Sequence, residues 1–105
     1  MDVFHTPGSD LLIQAILSLQ NEEECRALLE DLMTGKEIQD CSQRILVAQH
    51  LSQGMVYSRI AQLTGASSAT ISRVNRCCMY GAGGYRTVLE RIGIPDDEEQ
   101  EATEP

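Results

Sequence analysis

Apolar residues recur at helical spacing along most of the chain. "SDLLIQAILSL" places Leu11, Leu12, Ile13, Ile16 and Leu17 where one side of a helix would gather them, with Ser9 or Asp10 as the cap. A second helix is predicted from Asn21, whose side chain can accept the backbone N–H of Glu24. Glu22, Glu23 and Glu24 complement its positive end, and Leu28, Leu29, Leu32 and Met33 continue an apolar face. "TGKE" repeats the capping logic with Thr34 and Glu37, and predicts a long helix to about residue 53, closed by Gly54. Its apolar positions, Ile38, Cys41, Ile45, Val47, Ala48 and Leu51, cover more than one face, the pattern of a helix packed on several sides.

After Gly54 the periods shorten. A short helix over 56–63 is broken by Thr64-Gly65. A second runs from a Ser67 cap to about residue 79, and "YGAGGY" reads as a loop. A last helix over 85–92 stops at Gly93 and Pro95. No stretch alternates in the way a half-buried strand requires, so the expected class is all-α, with about six helices. Residues 1–8 lack periodicity and are expected to be a flexible arm. Residues 9–95 form one helical domain, and 96–105, "DEEQEATEP" with its preceding Asp, form an acidic disordered tail.

The pair of helices over about 56–79 has the composition of a helix-turn-helix. Ile60 and Leu63 are apolar on the first helix and Ala61 is small where a second would cross. Gly65 sits at the turn, and Ile71 and Val74 are apolar on the second helix. The opposite face carries Ser67, Ser68, Ala69, Ser72, Arg73 and Arg76. Small residues at the start of such a helix let its backbone approach base edges, hydroxyls bond to phosphate or base, and arginines reach phosphate or guanine. Arg59 is exposed by periodicity and suits a backbone phosphate. Two readings stand for Tyr57: a phosphate contact, or a cover over the apolar edge between helices.

Charge sharpens this picture. The formal net charge is −8, yet the segment from Cys41 to Pro95 holds six arginines against one acid, Glu90, a net of +5. The acids lie before and after it. A basic segment between acidic ends permits a polyanionic partner, double-stranded DNA above all. Arg86 and Arg91, on the last helix, are expected in solvent.

"GASSATISRVNR" resembles the reading helix of the Trp repressor superfamily, and the fuller run "TGASSATISRVNRCCMYGAGGY" is similar to its YerC/YecD group; the resemblance covers about residues 11–93. It implies an intertwined homodimer with two reading heads, and a transcription regulator, most simply a repressor, acting on a palindromic site. A core with one Phe and no Trp, made of aliphatic side chains, fits reliance on a second subunit. The resemblance also implies an effector pocket at Arg44, Arg73 and Cys77. Where the repressor has a glycine beside the ligand this chain has Val74, and where it has the serine that bonds the ligand amine this chain has Cys77. Tryptophan sensing is therefore not expected, and Arg44 is left to pair with an acid of the N-terminal half.

Other chemistry is thinly supplied. Cys25, Cys41, Cys77 and Cys78 form no C-x-x-C pair, and with His5 and His50 they offer no metal-ligand spacing; reduced thiols are expected. Met33, Met55 and Met79 read as core or dimer filler, and His50 as packed or solvated. There is no phosphate loop, no nucleophile with a positioned base and no carboxylate pair, so neither enzyme activity nor a cofactor is expected. No apolar run approaches the ~18 residues of a membrane span, and the N-terminus lacks a signal pattern, which leads to a cytoplasmic expectation. Two further readings remain beside the regulator: a protein-interaction module with a structural helix-turn-helix, and a transposase-type DNA-binding domain without its catalytic part.

Overall fold

In a computed structural model, residues 3–93 are described, and the expected tail over 96–105 lies outside them. Among the described residues there are six helices and no strand: α1 (Pro7–Ser18), α2 (Glu22–Leu32), α3 (Gly35–Ser52), α4 (Tyr57–Thr64), α5 (Ser68–Tyr80) and α6 (Gly84–Ile92). The chain divides into two compact units, Met1–Ile38 and Gln39–Pro105.

In the first unit, α1 starts earlier than predicted, inside the expected arm. Thr6, not Ser9 or Asp10, is its N-cap. The Ser9 N–H donates to Thr6 Oγ1 (3.0 Å), and the Thr6 N–H donates back to Ser9 Oγ (3.1 Å). Pro7 at the first helical position explains the shift, because its ring presets a helical φ and its missing N–H would have no partner there. Asn21 caps α2 as expected, accepting from the Glu24 N–H at 2.9 Å. Glu22 and Arg26 form an exposed i,i+4 pair at 3.0 Å, a contact of small energetic weight in water. Neither α1 nor α2 has a buried residue. Leu11, Ile16, Leu17 and Leu32 are all exposed by half or more.

Thr34 and Glu37 form the predicted reciprocal cap at the start of α3: the Glu37 N–H donates to Thr34 Oγ1 (3.1 Å) and the Thr34 N–H to Glu37 Oε1 (2.9 Å). Further along α3, Val47 and Ala48 are fully buried and Leu51 packs beside them, while Ile45 and Leu46 stay exposed. The broad apolar surface of this helix is thus only partly covered within the second unit.

The second unit is built on Val47, Ala48, Ile60, Ala66, Ile71, Val74 and Leu89, contributed by α3, α4, the turn, α5 and α6. Ile60, Ile71 and Val47 are completely enclosed, each contributing about 1.5–3 kcal/mol of apolar burial. Met55, Ala61, Cys78 and Tyr85 pack around this set. His50 is buried at its edge, its Nδ1 3.4 Å from Gln53 Oε1. Of the three methionines expected as core or dimer filler, Met55 fits the core role, Met33 is half-buried, and Met79 is exposed.

Candidate nucleic-acid interface

The turn between α4 and α5 is held by local chemistry. α4 ends at Gly65, whose φ of 73° lies in the left-handed region that a side chain disfavours. The Thr64 hydroxyl donates to the Ile60 carbonyl (2.7 Å) and accepts the Ala66 N–H (3.2 Å), and Gln43 on α3 donates its amide to the Thr64 carbonyl at 3.1 Å. Ala66 is buried, so the chain passes close over the core before α5 begins. Ile60 from α4 meets Ile71 and Val74 from α5 in that core, as the spacing predicts. Gln43 was not singled out from the sequence; a contact across 21 residues leaves no local pattern to read.

With Ile71 and Val74 buried, the other side of α5 faces solvent. Ser68, Ala69, Ser72, Arg73 and Arg76 are exposed together, and α5 contains no acidic residue. Ser68, Ser72, Arg73 and Arg76 hold no hydrogen bond or ion pair within the described residues, so their polar groups are free for a partner. Ser67 differs from them. Its hydroxyl is the N-cap of α5, accepting the Thr70 N–H at 3.1 Å and donating to Thr70 Oγ1 at 3.1 Å.

Tyr57 is exposed at the start of α4. Arg59 is half-buried, where periodicity predicted exposure. Its Nη1 donates to Gln62 Oε1 at 3.1 Å, and its Nε is buried without a partner. The i,i+3 spacing to Gln62 brings the amide within reach and lays the guanidinium along the helix. Arg86 and Arg91 are exposed as expected.

The three residues of the implied effector pocket are all exposed. Arg44 forms no ion pair within the second unit. Val74, expected to occupy the ligand's space, is 3% exposed and belongs to the core. Tyr85, unremarked in the sequence, lies within electrostatic reach of both Arg44 and Cys77. Its phenol is pushed up, first by burial and next by Cys77, with Arg44 opposing. Burial likewise pushes the Cys78 thiol up, aided by Cys77 and opposed by Arg86. Cys78, Leu51, Asn75, Tyr85 and Leu89 line an open cavity of about 630 Å³ between α3, α5 and α6. All four cysteines are free thiols. Among the described residues no group of three His, Cys, Asp or Glu side chains could hold a metal ion, and no helix is long and apolar enough to cross a membrane.

Two short helices crossing over a glycine turn, the second capped by Ser67 and apolar on its inner side, constitute a helix-turn-helix protein of the all-α class. The family model for Trp repressor protein matches residues 8–93, and the chain belongs to that family. It is 48% identical over 83 residues to the uncharacterised protein YerC of Bacillus subtilis (strain 168), covering 79% of this chain and 80% of that one. Among solved structures, a TrpR-like protein from Eubacterium eligens superposes with a TM-score of 0.86 at 44% identity, over 92% of this chain and 100% of that one. A candidate Trp repressor from Staphylococcus aureus gives 0.82 at 44% identity, over 90% and 94%.

Proposed function

We propose that this protein is a sequence-specific DNA-binding transcription regulator, acting in the cytoplasm as a homodimeric repressor. The observation that carries the reading is the solvent face of α5. Ser68, Ser72, Arg73 and Arg76 are exposed, acid-free and unengaged on the second helix of a helix-turn-helix. Such a helix fits the major groove, with arginines displacing counterions for general affinity and side chains at base edges for selectivity.

Dimerisation is supported by what each unit leaves uncovered. In the first unit α1 exposes Leu11, Ile16 and Leu17, and in the second α3 exposes Ile45 and Leu46, apolar side chains available to a partner surface. A second copy would cover it and bring two reading helices to a palindromic site. The response to tryptophan is lost, because Val74 and Cys77 stand where the resemblance to the repressor implies a glycine and an amine-bonding serine. The chain acts by binding and has no catalytic role.

The test is selection of bound duplexes from a random pool, followed by gel shift with the winners and with scrambled controls. Enrichment of a palindrome supports the reading. No retention of any duplex at low salt refutes it and leaves the interaction-module reading.

A further inference from the structure

Tyr80 closes α5 with 79% of its surface exposed. Solitary exposed aromatics are common, but this one has a particular place. It follows Arg76 by four residues and Arg73 by seven, so at about 100° per residue the three form one stripe along the helix. Ile71, Val74 and Cys78 point the other way, into or against the core. The stripe that begins at the small residue Ala69 therefore continues through two arginines to a tyrosine.

The end of the helix is held firmly. The Gly81 N–H donates to the Cys77 carbonyl at 2.9 Å, and a Cβ at Gly81 would collide with that same carbonyl. Only glycine lets the chain turn there, so Tyr80 is the last residue kept on the helix. Asn75 also donates to Met79 Sδ at 3.6 Å, which ties down the neighbouring exposed side chain.

We propose that Tyr80 is a further DNA-contacting residue, its hydroxyl donating a hydrogen bond to a backbone phosphate at the wall of the groove that α5 enters. This rests on the DNA-binding reading above. Ser68 and Tyr80 are about 18 Å apart along the helix axis, while the major groove is ~12 Å wide. A helix with its first turn among base edges thus brings its last turn to the phosphate strand. A tyrosine suits that place, since its ring lies along sugar and its O–H points to an anionic oxygen. The arginines beside it supply the charge complementarity that draws the phosphodiester chain to this stripe.

The test uses the full chain, a selected duplex and a long random-sequence duplex, with salt titrations on each. Tyr80→Phe removes only the hydroxyl. The expected result is an affinity lower by about tenfold on both duplexes with an unchanged salt slope, because a neutral donor releases no counterion. Arg76→Ala is the companion measurement, expected to lower the slope. If Tyr80→Phe binds both duplexes like the parent while Arg76→Ala is weakened, the Tyr80 contact is refuted and the DNA reading stands. If neither variant differs from the parent, the DNA reading itself falls. A change in dimer mass for Tyr80→Phe would also overturn the proposal, placing Tyr80 between protomers instead.

Discussion

The Ser67 hydroxyl accepts the Thr70 N–H and donates to the Thr70 hydroxyl, both at 3.1 Å, so this serine is spent on starting α5. Ser68, one residue on, is exposed and unengaged. Neighbouring serines with one composition have two jobs. Ser67→Ala should lower stability by about 1 kcal/mol, the usual cost of losing a cap, with Ser68→Ala near neutral. Urea unfolding of both variants measures this. Equal losses for the two would mean that Ser67 is not the cap.

Much of this architecture is legible in the residues because it is local. Asn21, Thr34 and Ser67 cap their helices as the sequence predicts, since a cap is a contact across three residues. Thr6 was missed because Ser9 and Asp10 are equally good cap residues, and only Pro7 at the first helical position discriminates. The buried inner face of α5 follows from the spacing of Ile71 and Val74. What could not be read is longer in range: Gln43 bracing Thr64, and Tyr85 near Arg44 and Cys77. Arg59 failed for another reason. Periodicity says which way a side chain leaves the helix, not that Gln62 will hold it down.

Gly81 provides a sharper stability test. Its backbone is not left-handed, but a Cβ there meets the Cys77 carbonyl. Gly81→Ala should therefore destabilise by roughly 1–3 kcal/mol, as overpacking against an immobile group does. Gly84 is the control, since nothing lies near its missing Cβ and its φ is ordinary. Gly84→Ala should be neutral or stabilising by about 0.4–1 kcal/mol. Thermal and urea unfolding of the pair should separate them. Matching stabilities would show that the turn after α5 adapts.

Assembly is tested by mass. With a second copy covering the exposed leucines and isoleucines of α1 and α3, as proposed, light scattering should give about twice the 11.6 kDa of one chain. Unfolding should also shift to higher denaturant as protein concentration rises, because dissociation and unfolding are linked. A stable 11.6 kDa particle at micromolar concentration would contradict the dimer.

The effector prediction turns on Val74. Its side chain is enclosed in the core, and Cys77 offers a thiol where an amine-bonding serine is implied. Titration of tryptophan should release no measurable heat and leave DNA affinity unchanged. Val74→Gly should not create affinity, since the serine is still missing; it should instead cost stability by removing a buried side chain, about 2–4 kcal/mol. A saturable tryptophan isotherm for the parent, with tighter DNA binding alongside, would overturn this.

On the proposed DNA-binding face the arginines are expected to divide into positioning and recognition. Both Arg73 and Arg76 are exposed and unengaged, but Arg76 sits a turn further from the N-terminal end of α5, the end proposed to enter the groove. Arg76 is assigned to phosphate. Arg76→Ala should weaken all sequences alike and lower the salt slope by roughly one. Arg73 and Ser68 lie nearer the bases, so Arg73→Ala and Ser68→Ala should cost ~1–3 kcal/mol mainly on the selected site. In the proposed dimer two such helices would enter successive major grooves ~34 Å apart, and the selected site should have half-sites at that spacing. Salt titrations of the three variants on selected and random duplexes decide the assignment. If Arg73→Ala weakens both duplexes equally, Arg73 is a second phosphate contact and Ser68 and Ser72 carry the selectivity.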